Sequence, residues 1–301
     1  MSIIRLANAP CSWGVLEFES AVTSAPYSQV LDEIAATGYT GTELGDWGFM
    51  PTDPAALRAE LARRNLRLIG AFVPIALAND TAHAPGIAAA VKTARLLRDA
   101  GGPDAFIVLS DDNGTVPARE AKAGRITPAD GLTEAQWTTF AQGADAVARA
   151  VQSETGLRTV FHPHCGGYVE TAGEIGELLK RTDPSSLGLC LDTGHLVYAG
   201  ADPLQVLAEH ASRIWHVHFK DCDPAVAQKA REQRLGYLAA VRSQLFGELG
   251  RGSVNFPAVT AALRDMAYNG WIVVEQDVFP GYGSPAESAR RNREYLRGLA
   301  L

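Results

Sequence analysis

Thr159-Val-Phe-His-Pro-His164, Cys190-Leu-Asp-Thr-Gly-His195, Ile214-Trp-His-Val-His-Phe-Lys-Asp221 and Ile272-Val-Val-Glu-Gln-Asp277 share one pattern: a short apolar run that ends in His, Asp or Glu. A short, almost wholly apolar run fits a strand of a parallel sheet, buried on both faces. Four further runs have the same length and character, so the candidate strands are residues 5–10, 41–44, 67–72, 105–109, 159–162, 188–191, 214–218 and 271–274. Between them lie helical patterns of matching number, at 27–36, 55–64, 88–100, 134–154, 171–180, 203–209, 256–266 and 284–299. Asp53-Pro54 reads as an N-cap with proline at the first helical position, and Thr133-Glu134 opens the longest helix.

Eight strands alternating with eight helices in 301 residues predict an α/β fold, a single (β/α)8 TIM barrel spanning 1–301. A doubly wound open sheet is the competitor, but no G-x-G-x-x-G follows the first strand. Two connections exceed the usual length, at about 110–132 and 221–255. Each follows a strand and precedes its helix, which places both on the face where barrels carry active sites and makes both lid candidates. The second contains a helical stretch at 225–244 and a glycine-rich turn at 247–252.

With 47% apolar and 20% charged residues, the composition supports a sizeable core and argues against disorder. The net charge is −7, with Lys and Arg scattered, so neither a nucleic acid nor an anionic membrane is an expected partner. Cys11, Cys165, Cys190 and Cys222 form no C-x-x-C pair, and the opening Met1-Ser2-Ile3-Ile4-Arg5 does not read as a secretory leader. Reduced thiols in a cytoplasmic protein are the expectation. A homo-oligomer is left open.

In a parallel barrel the strand ends converge, so the His, Asp and Glu side chains of four strands meet in one pocket. Histidine nitrogens mixed with carboxylate oxygens suit a divalent transition metal, Mn²⁺ or Co²⁺ first, with Zn²⁺, Fe²⁺ and Mg²⁺ as alternatives. Residues two apart on a strand share a face, so His162 and His164 both qualify, as do His216 and His218; His218, nearer the strand end, is preferred over the deeper His216. Asp192 and Glu275 complete the set. Gly194 is read as a sharp turn that returns His195 to the pocket to bind a substrate hydroxyl. Lys220 and Asp221 reach the same mouth, and Asp277 closes the last motif. Glu43 ends the second strand in an apolar context, and Trp13 offers a face on which a sugar-like ring could stack.

Asp192-Thr-Gly-His195, His216-Val-His-Phe-Lys-Asp221, Gly270-Trp-Ile-Val-Val-Glu-Gln-Asp277 and the opening Ala9-Pro-Cys-Ser-Trp-Gly14 resemble the xylose isomerase-like barrel family of sugar isomerases, epimerases and dehydratases. Within it, Gly41-Thr-Glu-Leu44, Gly124-Arg125 and Leu132-Thr-x-x-x-Trp137 look like the inosose dehydratase-like group, as does Phe246-x-x-x-Gly-x-Gly-x-Val-x-Phe256. The resemblance runs over nearly the whole chain. It implies a metal site at His162, Asp192, His218 and Glu275. Many relatives carry Glu where this chain has His162, and the epimerases use two Glu residues on opposite faces of the sugar. His164 resembles the catalytic histidine of the dehydratases.

The resemblance therefore implies a hydro-lyase acting on a keto-inositol or similar small polyhydroxylated ketone. His164 is the expected base, Glu275 is mainly a ligand with a share in catalysis, and Glu43, His195, Lys220, Trp13 and Asp277 are expected to bind substrate. A metal-dependent ketose isomerase or epimerase is the alternative. An endonuclease-like barrel would need a basic groove that the −7 charge opposes, and a non-catalytic sugar-binding barrel would not need ligand-type residues on four strands.

Overall fold

The computed structural model describes residues 3–16, 25–113, 115–279 and 281–301. Met1 and Ser2 of the opening segment, and residue 114 in the first long connection, lie outside them. The strands are β1 Arg5–Asn8, β2 Gly41–Glu43, β3 Arg67–Ile75, β4 Phe106–Asp111, β5 Arg158–Phe161, β6 Leu187–Asp192, β7 Ile214–Phe219 and β8 Trp271–Val274. They pair in parallel and in sequence order, and β8 pairs with β1 to close the barrel.

Alternation along each strand separates two environments. Leu109, Phe161, Leu191, Val217 and Phe219 join the main core between sheet and helices, while Val108, Val160 and Cys190 pack together as a separate small cluster. Residues two further on from that cluster, His162 after Val160 and Asp192 after Cys190, therefore project towards the barrel axis at its C-terminal end. The helices that follow the strands are Tyr27–Ala36, Pro54–Ala62, His83–Asp99, Glu134–Thr155, Ala172–Arg181, Pro203–His210, Phe256–Asp265 and Pro285–Gly298. Asp53 caps the second by accepting from Ala56 N at 2.8 Å, and Thr133 with Gln136 forms a reciprocal cap on the fourth.

The long connections differ from expectation in two respects. The helical stretch at 225–244 is broken into Pro224–Glu232 and Tyr237–Arg242, because Arg234 takes a left-handed φ of 53° between them. The connections are also fastened to one another rather than standing apart as lids. Arg125 donates to the carbonyls of Ala230 (3.3 Å) and Leu235 (3.0 Å), and Glu120 accepts from Leu238 N at 3.1 Å. Ala123, Cys165, Tyr198, Ala227, Tyr237 and Phe246 form a second buried core beneath them. A two-stranded antiparallel ribbon, Asp221–Cys222 against Phe246–Gly247, closes the base of the second connection.

The loop after β5 is held by two buried carboxylates. Asp111 accepts from Leu77 N (3.3 Å) and Tyr168 N (2.8 Å), and burial pushes its carboxyl up to about 6. Glu170 accepts from Gly124 N (2.7 Å) and Gly166 N (3.0 Å), and burial pushes it up to about 7. A carboxyl whose folded pKa is raised keeps its proton in the native state after the unfolded chain has lost it. Its share of stability is full below the unfolded value and falls as pH rises through the folded one. Glu170→Gln removes that loss, so urea unfolding will show the variant gaining stability relative to the wild type between pH 4.5 and 7.5; a difference that does not change with pH would contradict the assignment.

Candidate active site

The C-terminal ends of β5, β6, β7 and β8 bring His162, Asp192, His218 and Glu275 together, each buried and each offering a ligand atom within 4.8 Å of the others. His162 Nε2 is 3.5 Å from Asp192 Oδ2, and His218 Nδ1 is 3.3 Å from Glu275 Oε2 and 3.8 Å from Asp192 Oδ2. Asp192 Oδ2 and His218 Nδ1 are buried atoms without a hydrogen-bond partner. Buried polar atoms are nearly always satisfied, so convergent unsatisfied ones suit a cation.

Charge leads to the same place. Lys220 Nζ, buried, lies 3.1 Å from Glu275, 3.2 Å from both oxygens of Asp277 and 3.9 Å from Asp192. Burial alone would lower the lysine, but Asp277, Glu275 and Asp192 hold it well above its ordinary value. One ammonium among three carboxylates leaves an excess of two negative charges, which a divalent cation would balance. The donor set and the charge both fit a divalent metal.

His162, His164, His218, Lys220, Glu275 and Asp277 line a cavity with Glu43 and Asp46, and Ala9, Pro10, Cys11, Val15, Leu16 and Phe72 give it an apolar side. His164 and His162 both face it, so the choice between them on β5 falls to His162, whose Nε2 meets Asp192. Burial, then His162 and Lys220, push His164 well below the ordinary imidazole range.

Several expected substrate contacts are placed otherwise. Gly194 does not form a sharp turn: Asp192 caps a short helix, Thr193–Tyr198, by accepting from His195 N at 2.9 Å. Glycine is required there because a Cβ would lie 2.7 Å from Lys220 Cγ. His195 consequently sits behind the cavity wall, 3.3 Å from Lys220 Nζ, where it touches the lysine rather than the cavity. Asp221 is buried away from the mouth, its carboxylate accepting from the amides of Cys222, Gly250, Gly252 and Val254. Trp13 donates to Glu33 at 2.7 Å and lines a neighbouring cavity with Phe279. Glu43 borders the cavity, but its Oε1 lies against His216 and His218.

Two further residues reach the site that the sequence reading did not single out. Tyr237, from the second connection, packs its ring 5.1 Å from that of His164 and reaches Asp277 at 3.4 Å. Asn113 contacts His164 Nδ1 at 2.6 Å. Asn113 is a polar residue just past a strand end, where a site residue is expected; Tyr237 reads only as one position in an amphipathic helix.

Residues 31–299 match the xylose isomerase-like TIM barrel family. The inosose dehydratase of Geobacillus kaustophilus is 32% identical over 295 residues, covering 98% of this chain and 94% of the relative. Among solved structures, the probable 3-DHS dehydratase AsbF from Bacillus anthracis is similar, with a TM-score of 0.68, 16% identity and coverage of 97% of this chain and 98% of that one. The IOLI protein with a bound zinc atom superposes with a TM-score of 0.71 at 14% identity, covering 98% and 97%. The closed eight-stranded barrel, the ligand-type residues at its strand ends and these full-length matches place the chain in the xylose isomerase-like TIM barrel family.

Proposed function

We propose that the chain is a metal-dependent hydro-lyase that dehydrates a keto-inositol. The observation that carries this reading is the wall formed after β5, where two histidines and no carboxylate face the cavity. An epimerase needs proton-transferring groups on opposite faces of its sugar; an elimination can use one base that also returns the proton. The near full-length similarity to an inosose dehydratase supports the same reaction.

His162, Asp192, His218 and Glu275 would hold the divalent metal, which when bound supplies polarisation of the ketone and stabilisation of negative charge as it develops on oxygen. His164 is the base. Its Nδ1 is engaged by the Cys165 carbonyl oxygen at 2.9 Å and by Asn113 Nδ2 at 2.6 Å, so Nε2 is the nitrogen assigned to the substrate. The α-C–H bond breaks to this nitrogen, its electron pair forms the C=C bond, and the β-C–O bond breaks. His164 then returns the proton to the departing hydroxyl, and water leaves. Glu275 acts mainly as a ligand and holds Lys220. Lys220 and Asp277 bind ring hydroxyls, while the apolar side covers the carbon face of the ring. His195 supports Lys220 from behind.

Two imidazoles and two carboxylates favour Mn²⁺ or Co²⁺, with Zn²⁺, Fe²⁺ and Mg²⁺ as weaker substitutes. No described helix is long and apolar enough to cross a membrane, and the cysteines are free, in keeping with a cytoplasmic enzyme. The reading takes residues 1–301 as one barrel domain whose long connections belong to the active-site face.

Incubation of the protein with 2-keto-myo-inositol and Mn²⁺ or Co²⁺ will generate ultraviolet absorbance from a conjugated enol-dione; an epimerised ketone without absorbance would replace elimination by the isomerase reading. His164→Gln will lower kcat by about 10²–10⁴-fold with metal content unchanged, and full turnover in that variant would remove His164 as the base. Asp192→Ala will lose the metal in elemental analysis after dialysis; retention at wild-type stoichiometry would move the metal elsewhere.

A further inference from the structure

Glu43 and His216 lie beneath the ligand cluster, and neither is given a role by the reaction above. Glu43 Oε1 is 2.8 Å from His216 Nε2 and 3.1 Å from His218 Nε2, all three side chains buried. These three residues also satisfy the spacing of a metal site of their own. Ordinary hydrogen bonds account for both distances, however, and a carboxylate oxygen shared by two imidazole N–H groups leaves no converging lone pairs for an ion.

The contact fixes which end of His218 is which. A carboxylate only accepts, so His218 Nε2 carries the hydrogen and donates it to Glu43. Nδ1, at the other edge of the ring, is thereby left to face Asp192 and Glu275, and it is the nitrogen without a hydrogen-bond partner. His216 donates to the same oxygen from the same strand, two residues earlier, and so anchors Glu43 from below.

The backbone is built to admit this carboxylate. Register between β2 and β3 shifts between Thr42 and Glu43, which sets Glu43 opposite Gly70. A Cβ at Gly70 would stand 2.9 Å from Glu43 Oε1 and 3.2 Å from its Cδ. The absence of a side chain at position 70 leaves the space that the carboxylate occupies on its way to the histidines of β7.

We infer that Glu43, anchored by His216 and admitted by Gly70, is a positioning residue that locks His218 with Nδ1 towards the metal cluster. It touches neither substrate nor metal in this role. The inference rests on the proposed metal site, because it concerns the orientation of one of that site's ligands. Outer partners of ligating histidines typically contribute 10–100-fold to metal affinity.

The test is Co²⁺ affinity by chelator competition for the wild type, Glu43→Gln and Gly70→Ala, with the melting temperature of each measured metal-free. Glu43→Gln keeps the shape and removes the charge, and will weaken Co²⁺ by about 10–100-fold. Gly70→Ala, which displaces the carboxylate without changing its chemistry, will weaken it in the same direction. Because both act through one contact, the double variant will bind no more weakly than the weaker single one. A merely structural role would instead lower the metal-free melting temperature and leave Co²⁺ affinity intact. Wild-type affinity in Glu43→Gln would overturn the positioning role alone, whereas a wild-type protein that binds no Co²⁺ would overturn the metal site and this inference with it.

Discussion

Three carboxylates crowd one buried ammonium at the C-terminal end of the barrel, and charge at that density is tolerated in a protein interior only when each group is matched. Much of the surrounding architecture answers that requirement. Asp192 spends one oxygen on a helix N-terminus and turns the other inward; Asp277 is held by Lys220 and Tyr237; Glu275 is shared between Lys220 and His218. What remains unmatched is negative and points to one place, which is why a cation fits there and nowhere else among these residues so naturally.

The division of labour between the two sides of the cavity follows from strand position. β5 to β8 carry most of the ionisable groups, joined by Glu43 and Asp46 at and after the end of β2, while the segment after β1 and Phe72 of β3 contribute carbon. A polyhydroxylated ring presents the same duality, with hydroxyls at its edge and C–H groups on its faces.

The barrel was legible because its signal is local: apolar runs of strand length, punctuated by caps, repeat along the chain, and strand bounds read from them differ from the observed ones by only a few residues. The convergence of His162, Asp192, His218 and Glu275 was legible too, since parallel strands in a closed sheet must bring their ends together. Side-chain assignments one layer out were not. Trp13, His195 and Asp221 carry the right chemistry at the right sequence position, yet each is engaged by a neighbour distant in sequence, Glu33, Lys220 or the turn at 250–254. Glu43 lines the cavity, but its contacts with Gly70 and His216, on two other strands, carry no signal in the sequence. Such partners are fixed by register and tertiary packing, which hydrophobic periodicity does not encode.

The clasp between the connections after β4 and β7 has an evolutionary corollary. Barrel enzymes ordinarily diversify by exchanging one βα connection at a time on an unchanged scaffold. Here Arg125, Glu120 and Tyr237 make the two segments a shared roof, and Tyr237 extends from it to pack against the ring of His164. Grafting either segment alone from a relative would leave half-buried guanidinium and carboxylate groups facing the wrong partners, so the pair is expected to be inherited, and transplanted, as one module.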